Sequence, residues 1–258
     1  MRITQVGFYN QATQQMGNQQ AKVFETQAQL SSGKKILRPS DDPALATAIN
    51  NLKSQMDVNQ RYLTNLTRME DTLKMQEASV SSSIEVVSRI KELSVQAAND
   101  TYSAADRKSI AIEVKELISS LADLGNMRGT DGAYLFSGYS QNTAPFSESS
   151  LGVVTYTGTA DHQKVLVDEG RSMQIGMPGS ELFGSLQHLN STTGVTSNID
   201  MFTTLGSMYQ ALVTNDTDAV RANLDKVSSV HEHITIQQSN IGSRMKRVDP
   251  LTHAIEDR

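Results

Sequence analysis

The chain reads as mainly α with a β-rich insert: an elongated antiparallel coiled-coil helical bundle that carries a small projecting β domain. Three observations predict this. From Ala44 to Leu124 roughly 80 residues pass with neither Gly nor Pro, which cost a helix interior about 1 and 3 kcal/mol respectively. Within that stretch Ile49, Leu52, Met56, Leu63, Leu66, Leu73, Val80, Ile84 and Val87 fall on three- and four-residue steps, the spacing of a coiled-coil seam. Beyond residue 133 the apolar period drops to two, and a seven-residue frame returns in Val220, Leu224, Val227, Ile234, Ile241, Met245, Val248 and Ile255. This divides the chain into a terminal segment (1–40), a discontinuous helical rod (41–132 and 198–258) and a β-rich outer domain (133–197).

The terminal segment carries a thin stripe of Tyr9, Met16, Val23 and Leu30, diluted by Gln residues and Gly17. So few apolar side chains do not offset an ordering cost of about 1–2 kcal/mol per residue, so the segment is helical or disordered: a solvated tail or one that folds on a partner. Gly33, Lys34, Lys35 and Arg38 follow as a connector that lacks the second Gly and the preceding strand of a phosphate loop. Ser40, Asp41, Asp42 and Pro43 then form a helix cap: side-chain acceptors for free N–H groups, acids at the positive end of the dipole, and Pro in the first turn. As metal ligands Asp41 and Asp42 lack a third partner.

The first rod helix, continued to Ala98, spans on the order of 80 Å at 1.5 Å per residue. Asn59, Glu70, Glu77 and Lys91 fill the seam where its apolar series lapses. Asn99 to Tyr102 interrupts the helix, and Ser103 with Asp106 makes an acidic capping box that restarts it. Ile110, Val114, Leu117, Leu121 and Leu124 continue the beat, and the short connection implies an antiparallel return. Gly125, Gly129 and Gly132 end the pair.

Short β-prone runs follow at 133–136, 153–156, 165–167 and 173–175, with 191–197 as a polar linker. Helical period resumes at Ile199, Phe202, Leu205, Tyr209 and Leu212, and residues 215–218 cap another helix without the Gly and distal Glu of a calcium loop. In this last helix His231, Gln238 and Thr252 take the remaining inward positions, and Pro250 removes one backbone bond and is expected to kink the end.

Composition excludes several functions. With 23 basic and 28 acidic side chains and a formal charge of -5, there is no field to gather nucleic acid or an anionic membrane. The absence of Cys excludes disulfides and thiolate chemistry. The first 20 residues have no apolar core of signal-peptide type, and no window reaches the roughly 18 apolar residues of a membrane span. His231 and His233 point to different helix faces and do not grip one metal. Glu113 and Glu116 sit on a charged helix face as solvated carboxylates. With no nucleophile elbow, phosphate loop or zinc motif, the chain is expected not to be an enzyme: no catalytic or metal-binding residue is assigned and no cofactor is expected.

Leu30-Ser31-Ser32-Gly33-Lys34-Lys35, the cap Ser40-Asp41-Asp42-Pro43-Ala44 and the run from Ile90 to Thr101 resemble the amino-terminal region of bacterial flagellins and their relatives. The start Met1-Arg2-Ile3, the run from Gly132 to Tyr139 with Thr143 to Phe146, and the run from Val167 to Met173 are similar to the hook-associated members of that superfamily. The resemblance implies a helical rod domain, a projecting β domain, and terminal segments that pair as coaxial helices on assembly. It also implies a structural subunit of the bacterial flagellum at the hook-filament junction, extracellular and transmitting torque for motility. Implied partners are the other hook-associated junction protein, flagellin, copies of the chain in a ring, and an export chaperone that serves a type III channel without a cleaved signal peptide. Nucleic acid and membrane are not among them. The seven-residue frame still runs at Arg258, so the inner-tube mate of residues 1–32 is expected to lie outside this sequence. A flagellin filament subunit is the alternative reading, and a helical type III secreted tip or effector protein a third.

Overall fold

A computed structural model describes residues 2–149, 153–189 and 194–258, with side chains from residue 6 onward. In chain order the elements are α1 (Arg2–Ser32), α2 (Pro43–Ala97), α3 (Ala104–Gly125), β1 (Phe146–Glu148), β2 (Val154–Tyr156), β3 (Lys164–Asp168) and β4 (Arg171–Gln174). A π-helical turn (Ser180–Gly184), β5 (Ser185–Leu189), β6 (Thr196–Asp200), α4 (Met201–Val213) and α5 (Thr217–Glu256) complete the chain. The chain forms two compact units, Met1–Val58 and Asn59–Arg258.

In the first unit α1 ends where Gly33 takes a φ of 65°, the left-handed conformation that closes helix C-termini and that a Cβ would disfavour. Of the expected cap, Asp42 and Pro43 act at the start of α2, while Asp41 holds the turn before it. Asp42 Oδ1 accepts the Leu45 N–H at 3.0 Å, Pro43 is the first helical residue, and Asp41 Oδ2 accepts the Arg38 N–H at 2.8 Å. None of the described side chains of this unit is buried.

In the second unit α3 runs antiparallel to α2. The Ser79 hydroxyl donates to the Leu124 carbonyl, Arg89 donates to Glu113, and Arg107 donates to the Ala97 carbonyl, so residue numbers rise on one helix as they fall on the other. The reversal is made by the expected capping box: the Ser103 hydroxyl accepts the Asp106 N–H at 3.3 Å and the Asp106 carboxylate accepts the Ser103 N–H at 3.0 Å. Asp200 and Asp216 cap α4 and α5 by a single bond each, their carboxylates accepting the N–H groups of Thr203 and Ala219. α5 passes through Pro250 and ends at Glu256.

The β elements form three separate antiparallel hairpins, β1 with β2, β3 with β4 and β5 with β6. They share one apolar core with the helices. Phe136, Phe146 and Phe183 pack ring to ring and meet Phe202 of α4, with centroids 5.2–6.0 Å apart. Three expectations are corrected here. Residues 133–136 make only an isolated bridge from Arg128 to Tyr134, because Phe136 and Ser137 are both drawn into the core and the alternation of a strand is lost. β5 was not expected, because one of its two inward side chains is His188, which reads as polar. β6 overlaps the end of the expected linker, whose residues 191–193 lie outside the described residues.

Candidate functional site

The helical seam packs the helices of the second unit together, and every second position of its frame differs by one residue from the sequence reading. On α2 the buried residues include Leu66, Met69, Leu73, Gln76, Val80, Ser83, Val87, Ile90, Ser94 and Ala97, an alternation of three and four, with Ser79 and Leu93 buried beside it. The expected members Leu66, Leu73, Val80 and Val87 lie on it. The intervening positions are Met69, Gln76, Ser83 and Ile90, not Glu70, Glu77, Ile84 and Lys91. Desolvating Glu70, Glu77 and Lys91 would cost far more than burying an amide and a hydroxyl that are hydrogen-bonded. Ile84 and Leu63 are half-buried and pack against the core from the side.

The same shift recurs elsewhere. On α3 Ile110, Val114 and Leu121 are buried as expected, while Ile118 takes the place of Leu117, which is half-buried. On α5 Val220, Val227, Ile234, Ile241, Val248 and Ile255 are buried, with Asn223, Val230 and Gln237 between them. Leu224 and Met245 flank this seam, and His231, Gln238 and Thr252 are half-buried beside it. Ile49, Leu52 and Met56 are not on a packed seam: they are 37%, 60% and 69% exposed, in the unit that buries no described side chain.

Among the buried polar groups that join elements, sequence reading missed Gln76 and Arg107. Gln76 inserts its carboxamide into the β-bearing region. Its Nε2 donates to the Leu135 carbonyl at 2.8 Å and the Met177 carbonyl at 3.0 Å, and its Oε1 accepts the Met177 N–H at 3.0 Å. Arg107 is 4% exposed and carries no carboxylate partner among the described residues. Its guanidinium instead donates to the carbonyls of Ala97 and Asn99 and to Asn215 Oδ1, at 2.8, 3.0 and 2.7 Å. It therefore satisfies the last carbonyls of α2 and fixes Asn215, whose φ of 53° turns the chain from α4 into α5. The available signal was a polar residue at a seam step, which the apolar count passes over.

The run from Gly132 to Tyr139 is explained by packing. Phe136 fills the aromatic cluster, and Gly138 has a φ of 65° with the Thr159 backbone where a Cβ would stand. Tyr156 caps this corner: its hydroxyl lies 3.0 Å from the Phe136 carbonyl and 2.8 Å from the Thr159 carbonyl, which share its one proton, and burial raises its pKa.

Several titratable groups tie elements together. The Ala133 N–H and Arg68 hold Asp131 below the usual carboxylate range, and Arg258 does the same to Asp168, with guanidinium nitrogens 2.7 and 3.3 Å from its two oxygens. His162 Nε2 lies 3.3 Å from Glu181, His233 Nε2 lies 3.0 Å from the Glu181 carbonyl, and His188 Nδ1 lies 2.9 Å from the Ser229 hydroxyl. Glu113 pairs with Arg89, and Glu116 is exposed. Among the described residues no three His, Asp or Glu side chains are placed to hold a metal.

The exposed apolar surface is concentrated on α1. Val6, Phe8, Tyr9, Met16, Val23, Phe24 and Leu30 are all exposed, Leu30 to 84%.

The family model of the bacterial flagellin N-terminal helical region matches residues 3–141, from α1 through α3 and into the turn beyond it. The flagellar hook-associated protein 3 of Escherichia coli strain K12 is 30% identical over 271 aligned residues, covering 100% of this chain and 84% of that protein. The flagellar filament 33 kDa core protein of Treponema phagedenis is 30% identical over 127 residues, 49% of this chain and 44% of that one. The crystal structure of Xanthomonas campestris FlgL in space group C2 has the same fold, with a TM-score of 0.70 at 20% identity, covering 80% of this chain and 96% of that one. Likenesses to filament proteins either cover about half of the chain or, over 91% of it, fall to 24% identity, whereas that to hook-associated protein 3 covers the whole chain at 30%, and the chain belongs to the flagellin family on its hook-associated protein 3 side.

Proposed function

We propose that this chain is the structural subunit that joins the flagellar hook to the flagellin filament and carries torque between them, with no catalytic role. The observation that carries the reading is the likeness to hook-associated protein 3 over the whole chain at 30% identity, against 24% over 91% of the chain for a flagellin. Its partners are the other hook-associated junction protein on one side, flagellin on the other, and copies of itself in a ring. It reaches the cell exterior through the flagellar type III channel with an export chaperone. α1 supports this mode of assembly. A helix of 31 residues with Phe8, Tyr9, Met16, Val23 and Leu30 exposed loses apolar hydration only when another helix covers it, at about 25 cal/mol per Å² buried.

The test is genetic. Cells lacking the protein should export flagellin into the medium and fail to retain filaments; full-length filaments on such cells would end the proposal. The filament-subunit reading is kept for one reason, the flagellin match over residues 3–141. Seeded polymerisation separates the two, since a filament subunit elongates indefinitely and a junction subunit adds a limited layer and stops.

A further inference from the structure

Beside the β3–β4 hairpin lies a cleft of about 320 Å³, walled by Lys164 of β3, Met173 of β4, Arg244 and Arg247 of α5, and Met69 of α2. Three cations converge there with no carboxylate in the wall, in a chain whose net charge is -5. None of the ion pairs of the described residues includes Lys164, Arg244 or Arg247. Arg244 is anchored by one bond to the Gly176 carbonyl at 3.2 Å, and a guanidinium has five N–H donors to offer. Like charges gathered in one concavity repel each other, and an anion between them relieves that repulsion.

The complementary surface lies on the same chain at another height. Glu113, Glu116 and Asp123 are exposed on one face of α3, and the Ser119 hydroxyl, donating at 2.9 Å, draws Glu148 of β1 alongside them. Arg89 neutralises only part of this group through Glu113. The cleft sits level with Met69 on α2, and α3 pairs with α2 from Ser79 to Arg89. At 1.5 Å per residue the two surfaces are offset by on the order of 15–30 Å along α2.

We propose that the cleft receives the acidic α3 face of a second copy of this chain. Because site and counter-site stand at different heights, the contact is heterologous: each copy offers its α3 face to the cleft of the next. Such contacts repeat around a ring or along a helix and do not close as a twofold dimer. The inference rests on the self-assembling reading above and adds to it the two surfaces and the direction of the contact.

The chain contains no Cys, so engineered thiols report without background. Full-length S172C, in the cleft wall, is mixed with full-length S120C, on the acidic face, and treated with a short bismaleimide. The expected product is the mixed S172C–S120C dimer. Its yield should fall roughly tenfold when the S172C chain also carries K164E and R247E, and return when the S120C chain carries E116K and D123K, with circular dichroism showing that every variant is folded. Three outcomes overturn the proposal: a dominant S172C–S172C product, a mixed product indifferent to charge reversal, or no mixed product. This readout is independent of the genetic one. Retained filaments in null cells with the cross-link intact would remove the junction reading and leave the surface, and the opposite pair of results would remove the surface alone.

Discussion

Gln76 and Met177 exchange two hydrogen bonds of 3.0 Å, the side-chain amide of one residue pairing with the backbone amide of the other as two strands pair in a ladder. The bond joins positions 101 residues apart in sequence and is fully buried. A seam position of α2 thereby fixes the loop between the β3–β4 hairpin and the π-helical turn.

Gln76→Leu should destabilise the second unit by about 2–4 kcal/mol, because it strands the Met177 N–H and the carbonyls of Leu135 and Met177. Urea unfolding followed by circular dichroism measures this. Gln76→Glu should cost at least as much at pH 7, since it buries a charge and loses the donor.

Arg107→Ala takes the guanidinium from the Ala97 carbonyl and from Asn215 Oδ1, while the Asn99 carbonyl keeps the Tyr102 N–H, and should cost about 2–4 kcal/mol. Arg107→Lys should recover only part of the loss, because an ammonium on a flexible stem does not reproduce a planar fork that reaches three acceptors. Thermal denaturation of the two variants side by side checks both statements.

The seam frame itself is testable by paired substitutions. Ile90→Ala and Ile118→Ala should each cost about 2–5 kcal/mol, as deletions from a close-packed core do. Lys91→Ala and Leu117→Ala, one step away, should cost clearly less. Equal costs within either pair would contradict the assignment of inward positions.

Acid should weaken the fold. Asp106 is held low by the Ser103 hydroxyl and backbone, Asp131 by the Ala133 N–H and Arg68, and Asp168 by Arg258. For each, the folded pKa lies below the unfolded one, so the unfolded chain binds more protons in acid. Their contribution is therefore complete above the ordinary carboxylate value of about 3.9 and is lost as pH falls through the depressed folded values. Stability against pH, measured by denaturant midpoint, should drop more gently in Asp168→Asn than in the parent chain.

On α1 the effect should fall on assembly alone. Replacing Met16 and Val23 with Asp leaves no cavity, since neither side chain is buried, and the midpoint of the second unit should not move. Loss of filament retention in cells with normal protein levels is the expected result.

Much of this architecture was legible before any coordinates. The breaker-free run predicts α2 and α3, and Ser103 with Asp106 marks the turn between them, because those signals are local and each has one physical meaning. The seam was half legible. Leu66, Leu73, Val80 and Val87 repeat every seven residues and fix the face, but the second position in each heptad is ambiguous when its occupant is Gln76 or Ser83. Such residues pass as surface until the carbonyls that satisfy them are known, and those carbonyls come from Leu135, Met177 and the preceding turn of α2. Arg107 was hidden for the same reason. The β hairpins were the least legible: each is two strands of three to five residues, too short for a clear period, and an inward position such as His188 of β5 reads as polar.

The Ser79 hydroxyl on the Leu124 carbonyl, with Arg107 on the end of α2, has a mechanical consequence. A bundle joined by hydrocarbon alone can creep under sustained twisting, because one greasy notch is much like the next. Here a slide of a single turn would tear polar pegs from their sockets at both ends of the α2–α3 pair at once, so the pair should hold its alignment up to a threshold load and then give way abruptly.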